Sequence, residues 1–130
     1  MQNSITDLSP IGQIPTLEEL YLSSNQIEDI SDLSTLTNLK TLYINRNQIV
    51  DLSPLSELVE LEVLDASSNR IADITPLIPL VNLKQLNLNR NEITNAGSLQ
   101  SMPSLEQIYF YNNPVDNFVC PNTTDAICFI

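Results

Sequence analysis

The chain has 130 residues, with 16 Asp and Glu against 5 Lys and Arg, so its formal charge is −11 at pH 7. A surface this acidic repels phosphate backbones, which argues against nucleic acid as a partner. No stretch approaches the ~20 apolar residues of a membrane-spanning helix. Because the chain contains no His, a His-based triad or imidazole base is excluded, and we expect neither enzymatic activity nor a cofactor.

One pattern of residues recurs every 22 positions over most of the chain. Its first apolar position is occupied by Leu17, Leu39, Leu61, Leu83 and Leu105. A fixed short period is typical of a solenoid, in which each unit buries its apolar side against the next. We predict repeats over 17–112 and a C-terminal cap over 113–130. Residues 1–16 match the second half of a unit, so they are predicted to be a partial repeat, with further sequence expected upstream of Met1.

Each unit begins with an alternating Leu-x-Leu segment, which predicts a strand with one buried face. Stacking such strands in chain order gives a parallel sheet. An asparagine follows where the chain leaves the strand, and its amide can satisfy buried backbone groups as both donor and acceptor. We therefore assign a structural ladder to Asn25, Asn47, Asn69, Asn91 and Asn113.

The return path of each unit contains an Asp, then Ser or Thr, and often Pro. Ser or Thr before Pro predicts the N-cap and first turn of a short 3₁₀ or α-helix. The predicted N-caps are Ser9, Ser31, Ser53 and Thr75. The preceding aspartates are expected to cap backbone groups, since one carboxylate per unit is too few for a metal site. The fourth unit has Asn95-Ala96-Gly97-Ser98 instead, which predicts a looser turn.

These features resemble the leucine-rich repeat proteins, in particular the internalin-like bacterial subfamily with 22-residue repeats. The resemblance is carried by Asn-Gln-Ile-Glu-Asp-Ile-Ser-Asp-Leu at 25–33 and by its counterparts at 47–55 and 69–77. It implies an α/β fold: a right-handed solenoid with a parallel sheet on the concave face and short 3₁₀ or α turns on the convex side. It also implies a non-catalytic binding module. A weaker resemblance, through Asn-Pro-Val at 113–115, is to cytosolic phosphatase regulators.

The outward strand positions are predicted to form the binding face. All four tyrosines of the chain fall at these positions, and Tyr and Arg often dominate binding energies. The predicted protein-binding residues are Tyr21, Tyr43, Tyr109, Tyr111, Arg46, Arg90, Asp65, Asn87 and Asn89. Another outward column alternates in sign and predicts ion pairs between neighbouring strands. That column is Glu18, Lys40, Glu62, Lys84 and Glu106.

Cys120 and Cys128, the only cysteines, follow the last repeat. We predict a disulfide, contributing about 2–3 kcal/mol, with a reduced pair as the alternative; zinc would need further ligands. The side chains expected to cover the open end of the core are Phe110, Val115, Phe118, Ile127 and Phe129.

The predicted function is non-catalytic binding of a protein ligand on the concave face by a monomer. The alternatives are a structural segment of a larger cell-surface protein and a carbohydrate-binding adhesin. A disulfide favours a secreted or cell-surface location in a bacterium, and a cytoplasmic location is the alternative.

Overall fold

The structure, a computed structural model, describes residues 3–121 and 126–130. In these residues six strands form one parallel sheet in chain order, and each strand has three residues. The strands are β1 (Glu19–Tyr21), β2 (Thr41–Tyr43), β3 (Val63–Asp65), β4 (Gln85–Asn87), β5 (Gln107–Tyr109) and β6 (Ile127–Phe129). The first five pair at an offset of 22 residues, as Leu20 with Leu42 and Leu42 with Leu64. This register confirms the predicted leucine-rich-repeat solenoid.

The repeated Leu and Ile side chains form one continuous core along the stack. The central residue of each strand points inward, and Leu42, Leu64 and Leu86 are each at most 1% exposed. Leucines of the return path close the core from the other side, and Leu33, Leu55 and Leu77 are fully buried. A single unit has only one thin layer of apolar side chains, so its burial depends on the units above and below.

The repeated asparagines lie inside the turn that follows each strand, and four of the five are buried. Asn69 is representative: its Oδ1 accepts from Ile49 N–H at 3.0 Å. Its Nδ2 donates to the carbonyl of Ala66 at 3.0 Å and to that of Ile44, in the preceding unit, at 3.1 Å. Because each amide bonds its own turn and the turn before it, the asparagines form a continuous ladder along the core.

The return path contains short 3₁₀ helices in the described residues, and no α-helix occurs among them. These helices are Ile11–Gln13, Ser31–Thr35, Ser53–Leu55, Thr75–Leu77 and Gly97–Ser101. The N-cap prediction was wrong, because Ser31, Ser53 and Thr75 are the first helical residues and none of the preceding residues makes a side-chain cap. Ser9 lies two residues before the first helix and is not its N-cap either.

The backbone at the start of these helices is capped by aspartates that we call the Asx-turn aspartates. They are Asp7, Asp29, Asp51 and Asp73, and each accepts from the N–H two residues later at 2.8–2.9 Å. The hydroxyl and then the N–H of Ser53 lower the pKa of Asp51 below its usual value. Asn95 accepts from Gly97 N–H at 2.9 Å in the same way. The prediction of a looser fourth turn was therefore wrong, since its helix has five residues.

The sixth strand was not predicted, and it places the side chains of the C-terminal cap differently from what was expected. In β6 only Cys128 faces inward, while Ile127 and Phe129 are 56% and 45% exposed on the outer face. Their predicted role in covering the core was wrong, because strand alternation turns them to the opposite face. Phe118 and Val115 do pack against the core, and the Phe118 ring stacks on Phe110 with centroids 4.7 Å apart.

The first described residues pack against the unit that follows them. Asn3 N–H donates to the carbonyl of Ser24 at 3.0 Å, and Gln26 N–H donates to that of Ile5 at 3.2 Å. Leu8 is buried in the core at 1% exposure. The division at 1–16, 17–112 and 113–130 stays a prediction, and its outer segments include undescribed residues. No helix among the described residues is long and apolar enough to span a bilayer.

Candidate protein-binding face

The face of the sheet that turns away from the core, the concave face, carries two side chains per strand. One column, which was not among the predicted binding residues, is Glu19, Thr41, Val63, Gln85, Gln107 and Ile127. The other, which we call the tyrosine column, is Tyr21, Tyr43, Asp65, Asn87, Tyr109 and Phe129. The parallel register places neighbours of one column about 4.8 Å apart, so their side chains meet directly.

Two pairs of stacked aromatic rings occupy the ends of the tyrosine column. The rings of Tyr21 and Tyr43 lie 5.1 Å apart at 13°, and those of Tyr109 and Phe129 lie 4.5 Å apart at 7°. Tyr21 remains 62% exposed. Its hydroxyl donates to Glu19 Oε2 at 3.0 Å, and this hydrogen bond raises the pKa of Tyr21. Stacking fixes the rings in place before any partner arrives.

Asp65 and Asn87 lie between the two pairs but fold back onto their own strands. Asp65 Oδ1 accepts from Ser67 N–H at 3.0 Å, and Asn87 Oδ1 accepts from Asn89 N–H at 3.1 Å. The column is therefore interrupted by a depression of about 110 Å³. It is lined by Tyr43, Val63, Leu64, Asp65, Gln85, Leu86, Asn87 and Tyr109. We call this depression the slot.

Arg46 and Arg90 border the concave face where the chain leaves the strands. Both are exposed and adopt left-handed backbone conformations with φ of 58° and 57°. Neither forms an ion pair within the described residues. The same turn position has φ of 55° at Ser68, so this conformation belongs to the repeat. It is therefore not caused by the Arg side chains.

The predicted ion-pair column forms bonds at alternate gaps between strands. Lys40 Nζ lies 3.2 Å from Glu18 Oε2, and Lys84 Nζ lies 2.7 Å from Glu62 Oε2. The hydrogen bond from Lys84, reinforced by its charge, lowers the pKa of Glu62. No bond of this kind joins Lys40 to Glu62 among the described residues. Since the four side chains are between 42% and 61% exposed, each pair contributes little stability.

Two predicted binding residues, Asn89 and Tyr111, lie where the chain leaves the strands. Asn89 Oδ1 accepts from the backbone N–H of Tyr111 at 2.6 Å, which fixes the chain after β5. Tyr111 is 57% exposed at the border of the face. Phe129, which belongs to the tyrosine column, was missed because its spacing from Tyr109 is 20 residues. The only sequence signal for it was the alternation in Ile127-Cys128-Phe129.

A disulfide ties β6 to the chain that precedes it. Cys120 and Cys128 are joined with Cα atoms 5.9 Å apart. Cys128 pairs with Ile108 in the sheet, and Phe110 N–H donates to the Phe129 carbonyl at 2.8 Å. Because Phe129 stacks on Tyr109, the disulfide also helps to hold the second aromatic pair in position.

Comparisons with known proteins agree with this geometry. The family model described as Leucine Rich repeats (2 copies) matches residues 1–35, 15–57, 37–79 and 81–121. The chain therefore belongs to the leucine-rich repeat family, whose repeats account for the stacked strands described above. No curated protein matches the chain.

Solved structures place the chain more narrowly, as internalin-like. It is 33% identical to internalin inlF of Listeria monocytogenes over 89% of this chain and 41% of that one, with a TM-score of 0.67. It is 32% identical to internalin C2 (inlC2) of the same organism, over 99% of this chain and 66% of that one, with a TM-score of 0.81. A Leptospira interrogans LRR protein shares the fold at 23% identity and a TM-score of 0.80, over 89% of this chain and 32% of that one. The chain thus spans less than half of inlF.

Proposed function

We propose that this chain is a non-catalytic, monomeric module that binds a protein ligand on its concave face. The observation that carries the proposal is the two pairs of stacked aromatic rings, one at each end of the tyrosine column. Aromatic side chains bury a large area on binding, and they lose little entropy when they are already held in place. Membership of a repeat family that serves widely in protein–protein interaction supports the same function.

The distribution of charge supports a specific face rather than general adhesion. The chain carries 16 acids, but on the concave border Lys40 and Lys84 neutralise Glu18 and Glu62. The acids of the Asx turns lie on the return path, where they favour solubility and repel other acidic surfaces. A partner is thereby directed to the polar and aromatic face.

The test replaces exposed tyrosines whose loss leaves the core intact. A photoreactive amino acid at Tyr111 should crosslink a protein partner, whereas the same residue at Val81, which is 50% exposed on the return path, should not. With the captured partner purified, Tyr21→Ala should weaken binding at least about tenfold, because aromatic residues that act as hot spots often contribute ~2 kcal/mol or more. Val81→Ala is the matched control. Unchanged affinity in Tyr21→Ala with an unchanged melting temperature contradicts the proposal.

We place the protein outside the bacterial cytoplasm, either secreted or on the cell surface. The Cys120–Cys128 disulfide supports this location, because such bonds persist in oxidising compartments. Alkylation of thiols during rapid cell lysis tests it. Two alkylated cysteines in the native protein would favour the cytoplasmic alternative.

A carbohydrate ligand is the second candidate, and a specific observation favours it. The slot exposes tyrosine rings beside the amides of Gln85 and Asn87, and such groups can stack on and hydrogen-bond a sugar. Binding on a glycan array that is lost in Tyr43→Ala would support this candidate over a protein ligand. A purely structural role within a larger surface protein predicts that neither Tyr21→Ala nor Tyr43→Ala changes any measured interaction.

A further inference from the structure

The slot is bounded by two tyrosine rings that each have one uncovered face. Tyr21 covers one face of Tyr43, and Phe129 covers one face of Tyr109. The remaining faces therefore turn toward the gap over β3 and β4, and both tyrosines line the slot. Three strand spacings separate them, which is about 14 Å along the sheet. The gap is wide enough for a partner's side chain to lie flat against one ring.

The floor of the slot has one charged group, the carboxylate of Asp65. This residue is half-buried next to Tyr43 in the sheet register, and one carboxylate oxygen is used by Ser67 N–H. No cation forms an ion pair with Asp65 in the part of the chain that the structure describes. The rest of the floor consists of the Val63 side chain, the amides of Gln85 and Asn87, and the strands at Leu64 and Leu86, whose side chains point into the core. The slot thus combines a fixed negative charge with an open aromatic face.

We propose that the slot receives an arginine side chain of the protein partner, an inference that rests on the proposed function. A guanidinium group is planar, stacks on an aromatic face and forms paired hydrogen bonds to a carboxylate. Over Asp65 it can stack on Tyr43 and reach the carboxylate oxygen that Ser67 does not use. Arg46 and Arg90 lie at the border of the face and form no ion pair with any residue that the structure describes. They complement acidic groups of the partner beside that arginine.

A small probe tests the slot without the partner. N-acetyl-arginine amide, titrated into the full chain, should shift the NMR resonances of Ser67 N–H and of the Tyr43 ring. N-acetyl-citrulline amide has nearly the same shape without the charge and should bind at least about tenfold more weakly, because hydrogen bonds to charged groups are stronger. Equal affinity for the two probes, or shifts confined to the acidic return path, would overturn the proposal.

The decisive variant is Asp65→Asn, which removes the charge and keeps the fold. An asparagine oxygen can still accept from Ser67 N–H, as Asn87 accepts from Asn89 N–H one unit later. The variant should bind N-acetyl-arginine amide at least about tenfold more weakly. Asp116→Asn, which removes one charge from an exposed position in the cap, is the matched control and should bind like the unmodified chain. An unchanged affinity in Asp65→Asn overturns the proposal.

The two proposals can fail separately. If Tyr21→Ala weakens binding of the purified partner while Asp65→Asn does not, the concave face binds protein without an arginine in the slot. If a neutral methyl glycoside shifts the same resonances and Asp65→Asn has no effect on the arginine probe, the slot is a sugar site and the arginine proposal fails. Loss of affinity in both Tyr21→Ala and Asp65→Asn supports both proposals.

Discussion

The asparagine ladder makes the strongest prediction about stability, and Asn69→Ala tests it at the centre of the stack. In the native chain Asn69 is 9% exposed and supplies the acceptor for Ile49 N–H at 3.0 Å. Its Nδ2 donates to the carbonyls of Ile44 and Ala66. Each of these carbonyls also accepts from a neighbouring asparagine of the ladder, Asn47 or Asn91. Alanine therefore leaves one buried N–H without an acceptor and removes one of two donors from each carbonyl.

The expected loss of stability in Asn69→Ala follows from the hydrogen bonds that it removes. An unsatisfied buried donor costs about 1–3 kcal/mol, and losing one of two donors to each shared carbonyl adds a smaller amount. We expect Asn69→Ala to lower the free energy of unfolding by about 2–4 kcal/mol. Asn25→Ala is the matched control, because Asn25 bonds the N–H of Ile5, which is 38% exposed, so that water can replace the lost contact. Its expected cost is about 1 kcal/mol.

Equilibrium urea unfolding, followed by circular dichroism, measures both variants. With the urea dependence usual for a small domain, a difference of ~2 kcal/mol moves the midpoint by about 1 M. Equal midpoints for Asn69→Ala and Asn25→Ala would refute the reasoning, since they would mean that the shared contacts along the ladder contribute nothing beyond a local turn.

Four further predictions concern single features of the fold. Gly12→Ala should destabilise the chain by about 1–3 kcal/mol, because the added Cβ would lie 2.7 Å from a backbone oxygen. Gly97→Ala should cost less, because its Cβ meets only a side-chain oxygen at 3.1 Å, and the urea midpoints of the two variants measure the difference. Ser68→Gly should stay within about 1 kcal/mol of the unmodified chain while Ser68→Val loses more, since φ is 55° there. Reducing the cap disulfide should cost about 2–3 kcal/mol and weaken the Tyr–Phe ring-current shifts in NMR spectra. Because the hydrogen bonds from Ser53 lower the pKa of Asp51 in the folded chain, they stabilise the fold above about pH 4, and this contribution is lost as the pH falls. The difference in unfolding free energy between the unmodified chain and Ser53→Ala should therefore shrink in acid.

The parts of the structure that repeat were predictable, because every unit must solve the same physical problem. A buried turn needs the same amide each time, and so the positions of Asn47 and Asn69 indicated their hydrogen bonds. The sixth strand does not repeat: Cys128 pairs with Ile108 at a spacing of 20 residues rather than 22. The slot could not be predicted from the sequence either, because it depends on the side chain of Asp65 turning back to accept from Ser67 N–H.

The chain also has a longer period of 44 residues, since Asn38-Leu39-Lys40 recurs as Asn82-Leu83-Lys84. This period has a structural counterpart in the contacts between neighbouring strands. Across the gap between β1 and β2, and again across the gap between β3 and β4, a Lys next to one strand bonds a Glu next to the other, and an Asn amide just before the same strand bonds a backbone carbonyl just before its neighbour. These contacts are Lys40–Glu18, Lys84–Glu62, Asn38 to Pro15 and Asn82 to Val59. Neither kind spans the gap between β2 and β3 among the described residues, where Arg70 donates to Gln48 Oε1 instead. These two kinds of contact therefore recur once per 44-residue block, which contains two strands.

The tyrosine column changes in the same blocks while the core residues stay nearly constant. The first two strands carry Tyr21 and Tyr43, the next two carry Asp65 and Asn87, and the last two carry an aromatic pair again. Repeat copying alone would give each block the same outward residues, as it does for the ion pairs. The middle block instead carries two short polar side chains, which fold back onto their own strands. This change at two outward positions, with the core unchanged, is sufficient to create the slot. The slot extends over the two strands of one block.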